Sequence, residues 1–133
     1  MSAYLAGLPA FLTYFVTGLA CYGLFIFIYT LLTPHKESRL IREGNLAAIV
    51  AFLGALLGFS LPLASAAAHS VSLIDYALWA LIGIIVQVIA FYIANFTMKD
   101  LHSKITNGDI AAGIWGGGIA VVIGILNAAC MTY

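Results

Sequence analysis

Four long apolar runs divide the chain, over residues 10–32, 46–68, 76–96 and 110–131, and nearly all strongly polar residues fall in the joins between them. Each run reaches the roughly 20 residues that a helix needs to cross about 30 Å of hydrocarbon at about 1.5 Å per residue. The pattern predicts an all-α polytopic membrane protein, four transmembrane helices in one membrane domain over residues 1–133. The first run is too long for the apolar part of a signal peptide and lacks a basic segment before it. Gly18, Leu19, Ala20 and Cys21 resemble a lipoprotein cleavage box, but glycine stands where that box takes an aliphatic residue. The run therefore reads as a retained first helix.

The joins carry a repetition. "REGNLAAIVAFLG" begins at Arg42 and "TNGDIAAGIWGGG" at Thr106, 64 positions later. In that alignment Ile41, Gly44, Ala47, Ala48, Gly54 and Ala64 match Ile105, Gly108, Ala111, Ala112, Gly118 and Ala128, and Asn45 matches Asp109. Two spans per copy, repeat one at about 10–68 and repeat two at about 76–131, give both hairpins the same orientation. The implied pseudo-twofold axis runs along the membrane normal, unlike that of an inverted-repeat transporter. Asn45 and Asp109 each stand just before a spanning helix, where a side-chain oxygen accepts from an unpaired backbone N–H and complements the positive helix end. Helix capping outweighs a ligand role for both.

Charge then orients the chain. Lys36, Arg39 and Arg42 lie between the first two spans and Lys99 and Lys104 between the last two, while the join at 69–75 and both termini hold no Lys or Arg. Short basic loops stay in the cytoplasm, so both termini are expected to be periplasmic. Tyr4, Tyr76, Trp79 and Tyr133 fall near the outer boundary and Tyr29 and Tyr92 near the inner one, as interfacial belts require. Composition agrees: 64% hydrophobic and 8% charged residues, with a mean hydropathy of +1.11, against about 25% charged in a soluble domain. A formal net charge of zero supplies no field for nucleic acid. Two cysteines without clustered histidine leave neither a zinc signature nor a disulfide framework. No metal or cofactor is expected.

Small residues mark the expected contact faces. Gly54 and Gly58 are spaced by four in the second span, as are Gly113 and Gly117 in the fourth, and Ala112, Gly116, Ala120, Gly124 and Ala128 form a longer stripe. In lipid, close backbone approach takes over from the hydrophobic effect as the cause of helix association. The partner is a helix of the same chain or of another copy.

No charged side chain lies within a span, so nothing suggests a proton or ion relay. The deep polar groups are neutral, chiefly Ser60, Ser65, Gln87, Asn95 and Asn127, with Thr13 and Thr17 in the first span. Gln87 is expected near mid-depth, with Asn95 two turns on along the same face; such amides bond across helices or line a polar path. Ser65 and His69 are four apart, but nothing signals an oxyanion hole, so an interfacial histidine is preferred to a catalytic dyad. Cys21 and Cys130 differ too much in depth to pair within the chain. Pro62 predicts a kink, and with Asn127 at matching depth it places any functional cavity in the outer third.

The segments "TPH" from Thr33, "LPLASAA" from Leu61 and "NAACMTY" from Asn127 resemble the YjfL-like family of small bacterial inner-membrane proteins, built from a duplicated two-helix unit. The resemblance covers Tyr14 to Tyr133. It implies a multi-pass protein of the bacterial inner membrane with outward termini, no established activity, and a link to envelope maintenance or stress. Taken together, these readings predict a non-enzymatic homo-oligomeric module in the lipid bilayer. Segments 33–44 and 98–108 would meet a cytoplasmic or membrane protein partner. The alternative is a passive channel or facilitator formed by an oligomer.

Overall fold

The computed structural model describes residues 2–33 and 37–131; Lys36, one of the five basic positions, and Tyr133 lie outside the described residues. Among the described residues seven helices follow in order: α1 (Ser2–Ala6), α2 (Leu8–Leu32), α3 (Glu37–Arg42), α4 (Leu46–His69), α5 (Leu73–Thr97), α6 (Leu101–Thr106) and α7 (Ile110–Cys130). Four of these helical stretches, Tyr4–Leu32, Leu46–His69, Leu73–Thr97 and Ile110–Cys130, are long and apolar enough to cross a membrane. No strand occurs among the described residues.

Local chemistry sets the helix ends and moves one boundary by three residues. α5 starts three residues ahead of its apolar run because Ser72 caps it, accepting from the Asp75 N–H at 3.1 Å. Asp75 in turn accepts from the Val71 N–H at 3.1 Å, a reciprocal arrangement close to a capping box. Hydropathy reads Asp75 as loop, whereas capping makes it first-turn helix. The joins at 33–44 and 98–108 contain α3 and α6, each of six residues. These helices are too short for a 3.6-residue period to register. They fold because Leu40, Leu101 and Ile105, all under 5% exposed, join one apolar cluster with Ala47, Ala48, Ala94 and Ala112.

Both short helices end identically. Gly44 (φ +80°) and Gly108 (φ +83°) take the left-handed conformation that lacks a Cβ penalty. Gly44 N–H bonds Ile41 O at 3.1 Å and Asn45 N–H bonds Leu40 O at 2.9 Å; Gly108 bonds Ile105 O at 3.0 Å and Asp109 bonds Lys104 O at 2.9 Å. This double closure is a Schellman motif, and it delivers each chain directly to the cap of the next spanning helix. The twice-written Gly-Asn and Gly-Asp phrases encode that turn.

α4 and α7 form the tightest seam in the bundle, and their glycines make it. A Cβ built on Gly113 would stand 2.3 Å from the Ala47 carbonyl oxygen, one on Gly117 2.7 Å from that of Val50, and one on Gly124 2.1 Å from that of Gly58. From the other side, a Cβ on Gly54 would meet the Gly117 Cα at 2.3 Å, and one on Gly58 the Ala120 oxygen at 2.3 Å. Pro62 is fully buried within α4. It has no N–H for the Gly58 carbonyl four residues earlier, and that carbonyl is the group that presses on Gly124. The proline thus frees an acceptor toward a helix whose glycine admits it, in the manner of a Cα–H···O contact.

The stripe read from spacing alone needs correction here. Steps of four residues advance about 40° around a helix with a period near 100° per residue, so the four steps from Ala112 to Ala128 wind off one face. The seam follows Gly113, Gly117, Ala120 and Gly124, whereas Gly116 faces Leu101, with the Leu101 Cδ2 3.8 Å from its Cβ position, and Ala128 is only half-buried. The aligned copies also diverge: Gly54 lies in the seam while Gly118 has nothing within 4 Å of its Cβ position.

α2 attaches differently, through rings rather than backbone. Phe59 of α4, fully buried, stacks on Phe25 at 4.8 Å and receives the edge of Tyr22 at 5.6 Å, while Tyr29 packs against Phe52 and Phe91. Two tyrosines expected in the interfacial belts are therefore core residues, since Tyr76 is 2% and Tyr29 8% exposed. Tyr4 and Tyr92 face outward.

Candidate functional site

Polar groups gather around Gln87 of α5. Gln87 is 3% exposed, and its Nε2 donates to the Ala120 carbonyl of α7 at 3.1 Å. Gly58 makes room for this amide, because a Cβ there would stand 3.1 Å from the Gln87 Nε2. Beside Gln87 a cavity of about 30 Å³ extends toward α6, with Tyr29, Thr33, Phe91 and His102 in its wall. The Thr33 hydroxyl donates to the Tyr29 carbonyl at 3.1 Å, and the His102 ring lies 5.3 Å from Phe91. That volume holds one or two waters. No Asp, Glu, Lys or Arg lines it, so it offers neutral donors and acceptors rather than a nucleophile or an ion relay.

The expected site residues separate. Asn95 donates to the Phe91 carbonyl of its own helix at 2.7 Å. Eight residues past Gln87 it has rotated about 80° off that face, and Ala94, 3% exposed, continues the buried side instead. Ser60 donates to the Leu56 carbonyl at 2.7 Å and pairs with the Tyr22 hydroxyl. Ser65 meets His69 through its main-chain carbonyl, 3.0 Å from Nδ1, rather than through a hydroxyl–imidazole pair. Asn127 is half-buried with its Nδ2 enclosed and unbonded among the described residues. Cys21 and Cys130 are free thiols, and no cluster of metal-ligating side chains occurs among the described residues. The cavity beside Gln87 lies toward the α6 end of the bundle, while in the outer third a wider, open groove is lined by Ser60, Leu63 and Ala64 of α4, without Pro62 or Asn127 in its wall. Pro62 instead packs solidly with Phe59 against Gly83.

A second feature joins the two basic segments. Asn45 Oδ1 accepts from the Ala48 N–H at 3.1 Å, capping α4. Its Nδ2 reaches the other segment, donating to Ile105 O at 2.9 Å and Thr106 O at 3.2 Å. Asp109 caps α7 by accepting from the Ala111 N–H at 3.0 Å, and a carboxylate has no N–H with which to repeat the bridge. The α3 and α6 turns thus form one surface at one end of the bundle. Arg39 pairs with Glu43 at 3.7 Å there, both about 60% exposed, a geometry worth little in water. Arg42 Nε donates to Ser38 O at 3.2 Å, and Lys99 and Lys104 are exposed. Trp115 Nε1 donates to Thr97 Oγ1 at 2.9 Å, joining α7 to α5 near the same end.

Sequence spacing missed the place of His102 in the cavity wall and the bridging role of Asn45. The first had a trace in the Leu101–Ile105 pair, an i,i+4 apolar couple within six residues. The second had none, because its partners are main-chain carbonyls 60 and 61 residues away.

Residues 3–131 match the protein family described as Domain of Unknown Function (DUF350). The chain is similar to the UPF0719 inner membrane protein YjfL of Escherichia coli (strain K12), 45% identical over 129 residues, covering 97% of this chain and 98% of that protein. It is also similar to the UPF0719 transmembrane protein YshE of Bacillus subtilis (strain 168), 26% identical over 118 residues, 87% of this chain and 88% of that one. No solved structure matches it.

Proposed function

We propose that this chain, which belongs to the family described as Domain of Unknown Function (DUF350), serves as a non-enzymatic, homo-oligomeric membrane module in envelope maintenance. It is a multi-pass protein of the bacterial inner membrane. The cytoplasmic surface of α3 and α6 is its working face, with both termini in the periplasm. The Asn45 bridge carries this reading, because it makes one platform of two turns that lie far apart in sequence. Among the described residues, Arg39, Arg42, Lys99 and Lys104 share that end with Glu43, Asp100 and Asp109. With nearly as many acidic as basic side chains, the surface has little net charge to draw it to anionic lipid and suits a protein partner reached through specific pairs. The identical Schellman closures support reading 10–68 and 76–131 as two copies of one hairpin.

The α4–α7 glycines are used inside the chain. Self-association therefore falls to the outward faces of α2 and α5.

A photoreactive residue placed at Arg42 or at Lys104 in cells tests the platform. Both positions are expected to give the same protein adduct, reduced from both by Asn45→Ala. Different adducts from the two positions, or lipid adducts alone, would refute it.

The neutral cavity at Gln87 favours a second reading, a passive facilitator whose path opens only in an oligomer. Proteoliposomes would then show a water or small-solute flux that Gln87→Leu abolishes.

A further inference from the structure

The α4–α7 seam joins the two hairpins side by side, with both helices running in one direction. Gly113 meets Ala47, Gly117 meets Val50 and Gly54, and Ala120 and Gly124 meet Gly58. The numbers of these pairs differ by 62 to 67, around the 64 positions of the sequence repeat. Each helix thus meets its counterpart at similar depth, but with a different face. The twofold axis expected from the repeat would set aligned residues on both sides of the seam. Instead the α4 contributors Ala47, Val50, Gly54 and Gly58 align with Ala111, Ile114, Gly118 and Val122 of α7, all four exposed. The α7 contributors Gly113, Gly117 and Ala120 align with Ile49, Leu53 and Leu56 of α4, none of them buried. The first helices show the same offset: Gly83 and Gln87 of α5 pack on Phe59 and Gly58 of α4, whereas the aligned Leu19 and Gly23 of α2 are exposed. The seam is therefore head-to-tail. It consumes one kind of face on each hairpin and leaves the complementary kind bare on the other side of each, as at the ends of a repeat array.

We propose that a second copy of this chain continues the seam, its α2–α4 hairpin docking on α5–α7 as α5–α7 docks on α2–α4. The inference rests on reading the hairpins as copies and the protein as a homo-oligomer, and it gives that oligomer its contact. Carrying the pairs inside the chain forward by the repeat places Leu53 of one copy on Ile114 and Gly118 of its neighbour and Leu56 on Val122, with the outward face of α2, at Leu19 and Gly23, on Ile123 and Val122. The surfaces fit that pairing. Leu53 is 57% exposed, and nothing lies within 4 Å of the Gly118 Cβ position; a projecting side chain and a gap beside backbone are what close helix packing in lipid requires. The bare face is also continuous with the seam, since Gly117 within it and Ile114 and Gly118 beside it wall one groove of about 400 Å³. A head-to-tail contact between identical chains cannot close with a pair; it generates a ring of more copies or an open row.

Cross-linking in native membranes tests the contact. In a background with Cys21→Ala and Cys130→Ala, chains carrying Leu53→Cys and chains carrying Gly118→Cys are co-expressed under different tags and oxidised. A disulfide needs Cα atoms within about 7 Å, so the mixture should give a dimer bearing both tags, while either chain expressed alone gives about tenfold less. Native mass spectrometry of the unsubstituted chain, released from the membrane with its surrounding lipid, should show complexes larger than a dimer, a readout that depends on no variant. A cross-link between two Gly118→Cys chains, or a complex that stops at two copies, overturns the head-to-tail contact. Larger complexes without the mixed cross-link overturn this interface and leave the homo-oligomer standing. Single chains throughout overturn both.

Discussion

Replacing Gly124 by alanine probes the α4–α7 seam where it is tightest. The added Cβ would stand 2.1 Å from the Gly58 carbonyl oxygen. An unstrained carbon–oxygen contact needs more than 3 Å, so the helices must part by about 1 Å at that level. A gap of that size forfeits a quarter to a half of each contact, worth about 0.1–0.2 kcal/mol per atom pair. If the seam loses packing comparable to one buried leucine, about 50 pairs, the cost spans about 1–5 kcal/mol and is about 2–3 kcal/mol at mid-range. Alanine returns about 1 kcal/mol over glycine through helix propensity, which leaves a net destabilisation of about 1–2 kcal/mol. Gly118→Ala supplies the control in the same helix, because nothing lies within 4 Å of its Cβ position; it should be neutral or stabilising by up to about 1 kcal/mol. Reversible unfolding in mixed micelles, followed by circular dichroism, should separate the two variants by about 1–3 kcal/mol. Equal stability of Gly124→Ala and Gly118→Ala would refute the seam.

Three further outcomes follow from the turns and the cavity. Asn45→Asp keeps the oxygen that caps α4 but loses both donors to Ile105 and Thr106; amide exchange in α6 should quicken at least tenfold while α4 stays protected, and unchanged exchange would remove the bridge from the account. Gly108→Ala, at φ +83°, should cost about 1–2 kcal/mol, and Gly44→Ala a similar amount, measured by the same unfolding assay; no loss at either would contradict the left-handed closure. Gln87→Leu removes the bond to Ala120 and should cost about 0.6 kcal/mol, and no more than about 2; a larger loss would show that the amide holds more than one helix contact.

The spans were legible because twenty apolar residues have few alternatives to a membrane helix, and the ends of α2, α4, α5 and α7 stay within two residues of the apolar runs except where Ser72 and Asp75 cap α5 earlier than hydropathy suggests. Which helices pair was not legible. Gly54 and Gly118 align in sequence yet one is sealed in the seam and the other faces outward, since spacing gives a face without naming its neighbour. Gln87 could be seen as a polar residue at depth, but its acceptor is a main-chain carbonyl of α7 that no side-chain pattern announces. The basic segments looked like loops because a six-residue helix is stabilised by what it docks on, here Leu40, Leu101 and Ile105 against the alanines of α4, α5 and α7, rather than by its own periodicity.

Single-cysteine labelling across the bilayer tests the central claim most directly, that one cytoplasmic surface is built from the turns of two hairpins. In a background with Cys21→Ala and Cys130→Ala, Arg39→Cys and Lys104→Cys should both resist a membrane-impermeant maleimide in spheroplasts and both react in inverted vesicles, with Tyr4→Cys behaving in the opposite way. Reaction of Arg39→Cys and Lys104→Cys from opposite sides would contradict the account.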